Sequence, residues 1–396
     1  MKINISLVLI IITLYFKLNA QNLKYFSIIP DELSGDDNAG LLAKVVSDSE
    51  FIYVMGHYPK EIKNIKKTTH PIIASYDYKG NILNSHLIID STISPSIFNN
   101  QPIIKKNDSI YFVQFNVTNP FSDPMFRTAS FEWFEVNLRS GKIINRKKAF
   151  DISKIKEIDI NAYSILKDSV FQFILQVYDD YPIQKNYIYE MDLNLNVKKI
   201  IPLPNSSQNS YFKWISKENG IYHIIEDVTL RIPTRTGYMN YMKVDSNGTL
   251  LKIKRLPTKR NIFIGGVVTY SVSRNNDGTF VIACNEWGPD FTEQQAAPYF
   301  IKTSPEFDSI IWMTNFYESE NFVDKNEYYF YFTSKMKDKS GYVACGELSS
   351  NSNSVPNYGM IFKVSENGDS LWLRKYQPLS WDSLRSQLIT FFQINV

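Results

Sequence analysis

The fold is decided by a stretch near the end of the chain, which reads Gly359-Met-Ile-Phe-Lys-Val-Ser-Glu-Asn-Gly-Asp-Ser-Leu-Trp-Leu-Arg-Lys-Tyr376. An apolar run leads into a tight turn at Ser365-Glu-Asn-Gly368, and a second apolar run leaves that turn. Gly and Asn readily adopt the positive φ that tight hairpin turns require. The stretch therefore predicts two antiparallel strands joined by the turn.

The same pattern returns six times along the chain. The turns end at residues 80, 141, 195, 248, 307 and 368, so successive copies are 61, 54, 53, 59 and 61 residues apart. A period of this length that is filled with strands indicates one supersecondary unit used repeatedly. The composition agrees, because 14% of the residues are aromatic and aromatic and β-branched residues suit pleated sheets.

Each unit also holds a second hairpin ahead of the first. Its clearest turns are Asn275-Asn-Asp-Gly278 and Asp338-Lys-Ser-Gly341. Four antiparallel strands per unit, repeated side by side, are typical of a β-propeller blade, and closure into a ring leaves no free sheet edge. The predicted fold class is therefore all-β, a single β-propeller of four-stranded antiparallel blades.

We predict six blades, which cover residues 38–90, 96–150, 160–203, 210–256, 266–317 and 325–377. Two further strand-like segments, residues 23–29 and 386–395, are expected at the closure of the ring. They leave seven blades open as the alternative count. A tandem array of immunoglobulin-like domains is another alternative, although its domains of about 100 residues do not fit the period.

Residues 1–20 are predicted to be a secretory signal peptide, so that the propeller covers residues 21–396. Lys2 gives a positive start, residues 3–16 are almost wholly apolar, and Ala20 supplies a small residue for cleavage. A membrane anchor is the alternative, but an apolar run of about 14 residues is shorter than the ~20 that a span needs. We expect an exported protein, either secreted, periplasmic or at the cell surface, with no integral membrane segment after cleavage.

The charge balance is close to neutral. Loss of Lys2 and Lys17 with the signal peptide lowers the formal charge from +3 to +1, because residues 1–20 contain no acid. A balance of this kind does not favour nucleic acid as a partner. We therefore expect no nucleic-acid partner, and we expect a monomer.

The two cysteines, Cys284 and Cys345, each follow an alanine in successive repeats. In an exported protein a pair of cysteines suggests a disulfide. However, a disulfide needs Cα atoms within ~7 Å, and equivalent sites in adjacent sheets favour separate burial. The sequence thus favours buried free thiols, with a disulfide as the alternative.

Strand alternation places both families of tight turns on one face of the ring. The longer connections, between the second and third strands and between blades, lie on the opposite face, which we call the long-loop face. Binding residues commonly lie on variable loops of a rigid scaffold. The candidate ligand-binding residues there are Arg231, Arg235, Lys259, Arg260 and Trp287.

The cations could attract an anionic ligand such as an acidic glycan, and the Trp287 indole could stack on a sugar ring. The alternatives are ordinary solvated loops for the cations and a packing wedge between blades for Trp287.

Motifs of catalysis are missing. The chain has no Gly-x-Ser-x-Gly elbow, no His-Glu-x-x-His, no phosphate-binding glycine loop and no Cys-x-x-Cys. We predict no catalytic residue, no metal and no cofactor; His57 and His70, which flank one loop, are the alternative metal ligands. A catalytic function is still an alternative, because the two catalytic carboxylates of a glycoside hydrolase are close in space and need not be close in sequence.

The last repeat, together with Tyr241-Met-Lys-Val-Asp-Ser-Asn-Gly-Thr-Leu-Leu251 and Ile310-Ile-Trp312, resembles the repeat of secreted β-propeller proteins common in Bacteroidota. The resemblance implies the propeller architecture and export of the type IX kind. Such proteins often carry a C-terminal sorting domain after the propeller, and no such domain is evident before Val396.

The sequence favours a secreted, non-catalytic propeller that binds a glycan or an extracellular protein through the long-loop face. One alternative is an extracellular polysaccharide lyase or hydrolase on a propeller scaffold. The other is a structural cell-surface scaffold.

Overall fold

The structure is a computed structural model that describes residues 41–60, 68–77, 81–88, 94–96, 103–118, 129–148, 157–165, 170–180, 183–204, 210–230, 236–257, 262–263, 271–287, 296–315, 326–350 and 358–376. These residues form six antiparallel sheets whose strands follow chain order, arranged as the six blades of a ring. The predicted all-β fold with six four-stranded blades is confirmed, and the tandem-immunoglobulin alternative is wrong.

The first three blades have the following strands. Blade 1 comprises β1 (Leu41–Ser47), β2 (Ile52–Lys60), β3 (Thr68–Tyr76) and β4 (Ile82–Leu87). Blade 2 comprises β5 (Ser94–Ser96), β6 (Ile103–Lys105), β7 (Ile110–Thr118), β8 (Ala129–Asn137) and β9 (Lys142–Lys148). Blade 3 comprises β10 (Glu157–Ile165), β11 (Val170–Asp180), β12 (Ile183–Asp192) and β13 (Val197–Leu203).

The last three blades repeat this build. Blade 4 comprises β14 (Ser210–Glu218), β15 (Ile221–Leu230), β16 (Thr236–Val244) and β17 (Leu250–Arg255). Blade 5 comprises β18 (Ile262–Phe263), β19 (Val272–Arg274), β20 (Phe280–Trp287), β21 (Ala296–Thr303) and β22 (Ile310–Asn315). Blade 6 comprises β23 (Asn326–Lys335), β24 (Tyr342–Ser350), β25 (Tyr358–Val364) and β26 (Ser370–Tyr376).

The innermost strand is irregular in every blade. In blades 1, 3, 4 and 6 its pairing register shifts by one residue, at Ala43, Asn161, Lys213 and Tyr331. In blades 2 and 5 it is split into two pieces, β5 with β6 and β18 with β19, which pair with the same second strand. A bulge bends a strand and increases its twist, which suits strands that converge on a common axis.

The turns between third and fourth strands occupy the positions that define the sequence period. Positive φ occurs at Gly141, Leu195, Gly248, Phe307 and Gly368. Leu195 and Phe307 adopt it without being glycine, with φ of 63° and 60°. Both side chains are buried, so apolar packing offsets the cost of the left-handed backbone, which is about 1–2 kcal/mol.

The hydrophobic core lies between blades rather than within them. In β11, Phe171 and Phe173 pack against Trp133 of blade 2. Ile174, the next residue along, packs in the core shared with blade 4. Neighbouring residues of a strand point to opposite faces, so each sheet contributes to two cores. Separate clusters of this kind join blades 1 and 2, 2 and 3, 3 and 4, 4 and 5, and 5 and 6.

In blades 2 to 6 the third-to-fourth turn also lies against the preceding blade, a contact that we call the turn clasp. Gly248 of blade 4 lies against Pro202 of blade 3. Trp312 of blade 5 donates from Nε1 to the carbonyl oxygen of Glu366 in blade 6, at 3.1 Å. The same relation joins Gly141 to His86, Asn196 to Lys147 and Glu306 to Lys243.

The cysteines are free and buried, as predicted. They are not equivalent, however. Phe280 and Tyr342 occupy corresponding positions, because each pairs with the last residue of the third strand of its blade. Cys284 is four residues after Phe280, whereas Cys345 is three residues after Tyr342. Counted from these paired positions, the two cysteines differ by one residue, so Cys284 packs in the core toward blade 4 and Cys345 points to the opposite side of its sheet.

Three predicted segments lie outside the described residues: the signal peptide at 1–20 and the strand-like segments 23–29 and 386–395. Within the described ranges the structure contains no apolar helix of membrane-spanning length.

We predict that Gly248→Ala destabilises the ring more than Gly220→Ala. Both glycines have positive φ, at 90° and 78°, so both changes carry a backbone cost of about 1–2 kcal/mol. A Cβ at Gly248 would also collide with the Pro202 carbonyl oxygen, whereas one at Gly220 would meet open space. Urea unfolding should show an additional loss of at least about 1 kcal/mol for Gly248→Ala. Equal losses for the two variants would contradict the turn clasp as a stabilising contact.

Candidate functional site

The five predicted ligand-binding residues belong to segments that continue from strands ending at the long-loop face. Arg231 and Arg235 lie between the end of β15 and the start of β16, and Lys259 and Arg260 lie between β17 and β18. These four residues lie outside the described residues. Trp287 is the last residue of β20, and its side chain is likewise outside what the structure describes.

The flanking strands belong to blades 4 and 5, which are neighbours in the ring. Ile225, Met239 and Tyr241 of blade 4 share one core with Val272 and Phe280 of blade 5. The ends of β15, β17 and β20 are therefore on one face of two adjacent blades. The sequence alone placed the residues on a face, and the pairing of blades places their flanking strands in one sector of it.

A layer of polar residues lies beneath that face. In each blade, one residue of the second strand pairs with the residue directly before the third-to-fourth turn, for example Phe171 with Met191. The residue five positions later is polar in all six blades. We call this set the polar layer: His57, Asn116, Gln176, Asp227, Asn285 and Glu347. It could have been found in the sequence by aligning the second strands from their turns.

The described side chains of the polar layer are buried at blade interfaces. Gln176 donates from Nε2 to Asn186 Oδ1 at 3.1 Å and to the carbonyl oxygen of Ser210 at 3.0 Å. Ser210 opens the innermost strand of the next blade. The Oδ1 atom of Asn285 has no hydrogen-bond partner among the described residues. The layer thus brings polar groups into the contact between blades, at the level next to the long-loop ends.

Blade 4 adds a buried lysine to this layer. Lys213 is the extra residue of the bulge in β14, and its Nζ lies 3.9 Å from Oδ2 of Asp227. Burial lowers the pKa of Lys213, and the charge of Asp227 opposes that shift. Because the ammonium and the carboxylate are both buried, the pair fixes the bulge of the innermost strand at the level of the polar layer. The lysine is a residue that sequence reasoning missed.

The carboxylates of this cluster do not form a catalytic pair. Glu226 and Asp227 are adjacent in β15 and therefore point to opposite faces of the sheet. Asn240 donates from Nδ2 to Glu226 Oε1 at 2.8 Å. Glycoside hydrolysis needs two carboxyl groups about 5–10 Å apart that flank one bond of the substrate. Two buried carboxylates on opposite faces do not meet that requirement.

The histidines show no metal-ligand arrangement within the described residues, where no cluster of three or more His, Cys, Asp or Glu occurs. His57 pairs with Pro71, and His70 pairs with Tyr58, so the two histidines occupy adjacent register positions that are not directly opposite. His223 is buried, and its Nδ1 is hydrogen-bonded to the hydroxyl of Tyr241. Burial first, and the charge of Arg274 second, lower the pKa of His223 to about 4.

A cleft of about 510 Å³ opens on the opposite, tight-turn face between blades 5 and 6. It is lined by Arg274, Asn275, Asn276, Asp277, Lys335, Met336, Lys337 and Lys339. Arg274 pairs with Glu218 at 2.9 Å and Lys335 with Glu366 at 2.8 Å. Since two of its four cations are paired, the cleft has little net charge to offer an anion, and we assign no function to it.

No protein-family model matches the chain, and no curated protein matches it either. Among solved structures, the chain is similar to a protein of unknown function from Bacteroides caccae, with 12% identity, a TM-score of 0.44, and coverage of 77% of this chain and 89% of that one. It is also similar to an endo-arabinase from Bacteroides thetaiotaomicron, with 9% identity, a TM-score of 0.40, and coverage of 71% and 96%.

A Hadza microbial sialidase is a third similar structure, with 9% identity and a TM-score of 0.47. The match covers 85% of this chain and 65% of the sialidase, so the chain spans less than two thirds of that protein. At these identities the sialidase and arabinase activities remain statements about those proteins.

We predict that His223 makes stability depend on pH between about 6.5 and 4. Its pKa is about 4 in the folded protein against 6.5 ordinarily, so the unfolded chain binds more protons in that window. Stability is therefore fully present above pH 6.5 and falls as the pH is lowered, by about 3 kcal/mol in total for this group. Urea unfolding at several pH values should show a shallower loss for His223→Gln.

Tyr241→Phe is the control, because it removes the hydrogen bond to the imidazole and leaves the buried ring in place. It should retain most of the pH dependence. Parallel curves for wild type and His223→Gln would show that the histidine is not the titrating group.

Proposed function

We propose that the protein is an exported, non-catalytic binding propeller that takes an acidic glycan at the long-loop face of blades 4 and 5. Export through the signal peptide at residues 1–20 is part of the proposal. The residues proposed to contact the ligand are Arg231, Arg235, Lys259, Arg260 and Trp287.

One observation carries the proposal. The strands that flank all five residues end at the same face on two adjacent blades, although the residues are spread over 57 positions of the sequence. Four of the five are cations, so a ligand with carboxylate or sulfate groups suits them. The fifth is tryptophan, whose ring is amphipathic and suits the apolar face of a sugar.

The buried groups beneath this sector support binding rather than catalysis. The Lys213–Asp227 pair and the Glu226–Asn240 hydrogen bond both lie within blade 4. Their carboxylates do not converge, and His223 lies near the tight-turn end of β15, away from this face. The scaffold thus presents a stable base on which the connections are mounted, and this is how propellers commonly carry binding sites.

The test is a binding screen of residues 21–396 on an array that holds uronate-containing, sulfated and neutral oligosaccharides. We expect retention on acidic oligosaccharides that is lost, by tenfold or more, in the double variant Arg231→Gln with Arg235→Gln. The matched control is Lys337→Gln with Lys339→Gln, which removes the same charge from the opposite face. It should bind like wild type.

Four outcomes would overturn the proposal. Equal losses in the two double variants would mean that only net charge matters. Retention on neutral oligosaccharides alone would reject an acidic ligand. Release of shortened products from any polysaccharide in the panel would favour the lyase or hydrolase alternative, and absence of all retention would favour a structural scaffold.

A further inference from the structure

Cations are concentrated on the outer wall of one half of the ring. The outermost strands of blades 2, 3 and 4 are β9, β13 and β17, and together they hold nine lysines and arginines and no acidic residue. The outermost strands of the other three blades, β4, β22 and β26, hold two. We call the first set the basic wall: Lys142, Arg146, Lys147, Lys148, Lys198, Lys199, Lys252, Lys254 and Arg255.

Fewer than half of these cations make a salt bridge with a described carboxylate. Three cations make salt bridges: Arg146 with Glu132, Lys198 with Asp192 and Lys252 with Glu306. Five others form no salt bridge with a described carboxylate, and they are distributed over all three strands: Lys142, Lys147, Lys199, Lys254 and Arg255. The wall therefore keeps a positive field in a chain whose total charge is only +3.

The order of the blades makes these charges one surface. Blade 2 shares a core with blade 3, and blade 3 shares a core with blade 4. The three strands are thus on consecutive blades although they are about 50 residues apart in the chain. Exposed aliphatic side chains stand among the cations, for example Ile144, Ile200 and Leu251, each about half exposed.

The curvature of the wall selects the form of the ligand. Six blades divide the circle into steps of about 60°, so the outward directions of β9 and β17 differ by about 120°. A flat bilayer can contact one or two such strands at a time, and it would leave the third facing away. A flexible chain with regularly spaced negative charges can follow the wall and reach all three.

The composition of the wall selects the chemistry. The strands β9, β13 and β17 contain no aromatic residue. Proteins that bind single-stranded nucleic acid combine a basic groove with aromatic side chains on which bases stack. The basic wall offers only charge and aliphatic surface, so it lacks aromatic side chains on which bases could stack. An acidic polysaccharide has no bases and needs no such side chains.

We infer that the basic wall is a second binding surface, which holds a long acidic polysaccharide wrapped over blades 2, 3 and 4. It does not depend on the site proposed at the long-loop face, because no residue is shared. The long-loop site takes a short stretch of sugar, whereas the wall gains affinity only from a chain long enough to span three blades.

The test uses residues 21–396 and heparin as the probe, supplied as a tetrasaccharide and as the unfractionated chain. The variant is Lys142→Gln, Lys199→Gln and Lys254→Gln, which changes in each strand one cation that makes no salt bridge with a described carboxylate. The matched control is Lys337→Gln, Lys339→Gln and Lys363→Gln, which removes the same charge from blade 6. Circular dichroism first confirms that both variants fold.

We expect wild type to bind the unfractionated chain far more tightly than the tetrasaccharide. Each cation that displaces a counterion contributes about 0.7 to the slope of log affinity against log salt concentration. The wall variant, which lacks three cations, should therefore lose about 2 from that slope. At about 50 mM salt it should bind the heparin chain at least ~10-fold more weakly than wild type. The control should change affinity less than about twofold. The long-loop double variant Arg231→Gln with Arg235→Gln should leave heparin-chain binding intact, which separates the two sites.

Several results would overturn the inference. Equal weakening by the wall variant and its control would reduce the effect to net charge. Equal affinity for the tetrasaccharide and the long chain would exclude wrapping. Displacement of heparin by equimolar single-stranded DNA would reject the polysaccharide, and binding to anionic lipid vesicles without binding to heparin would assign the wall to a membrane surface.

Discussion

The structure depends on the contact between blades, because five of the hydrophobic clusters formed by the described residues are each shared by two adjacent blades. Each sheet is apolar on both faces, as Phe173 and Ile174 show by packing in the cores on either side of β11. A single sheet of this kind would expose apolar surface on both sides, so the unit is stable only within a stack. The turn clasp adds a directional contact to each core. At the junction of blades 4 and 5 it takes the form of an ion pair, with Lys243 Nζ 2.6 Å from Glu306 Oε1, and at the junction of blades 5 and 6 it is a Trp312 hydrogen bond.

One set of polar residues, the polar layer, occupies the same register in all six blades. Gln176 shows their role most clearly, since it bonds to the backbone of Ser210 at the point where the next blade begins. Buried polar groups are costly unless they are hydrogen-bonded, so a polar residue at the same register in all six blades indicates a shared structural requirement. Catalysis in a propeller would draw on groups that converge at the mouth of the channel. In blade 4 the adjacent carboxylates of Glu226 and Asp227 are turned to opposite sides of the sheet.

Much of the fold was accessible from local chemistry. A tight turn with positive φ favours glycine, so Gly248 and Gly368 indicated their hairpin turns directly. The turns at Leu195 and Phe307 were predicted from the spacing of the repeat, because neither residue type indicates positive φ. The sequence did not predict the irregularity of the innermost strands. A bulge such as that at Lys213 is caused by the crowding of six strands around one axis, which is a property of the whole ring. The offset of Cys284 and Cys345 was missed for a related reason. Register is fixed by pairing with the neighbouring strand, and it places Cys284 one residue further than Cys345 from the position that pairs with the end of the third strand.

The sequence by itself determined the repeat and the residue types that each strand carries, and it favoured six blades over seven, because turns and strand alternation are properties of short segments. It also contained the cations of β9, β13 and β17, but as three unrelated short runs. Only the tertiary structure decided that these runs lie side by side on the outer wall, and that the ends of β15, β17 and β20 share one sector of a face. Such neighbourhoods arise from ring closure, which brings together residues about 50 positions apart. No local sequence pattern predicts these neighbouring surfaces. The sequence period specifies the strands of each blade, whereas the packing of the blades decides which residues of adjacent blades lie side by side.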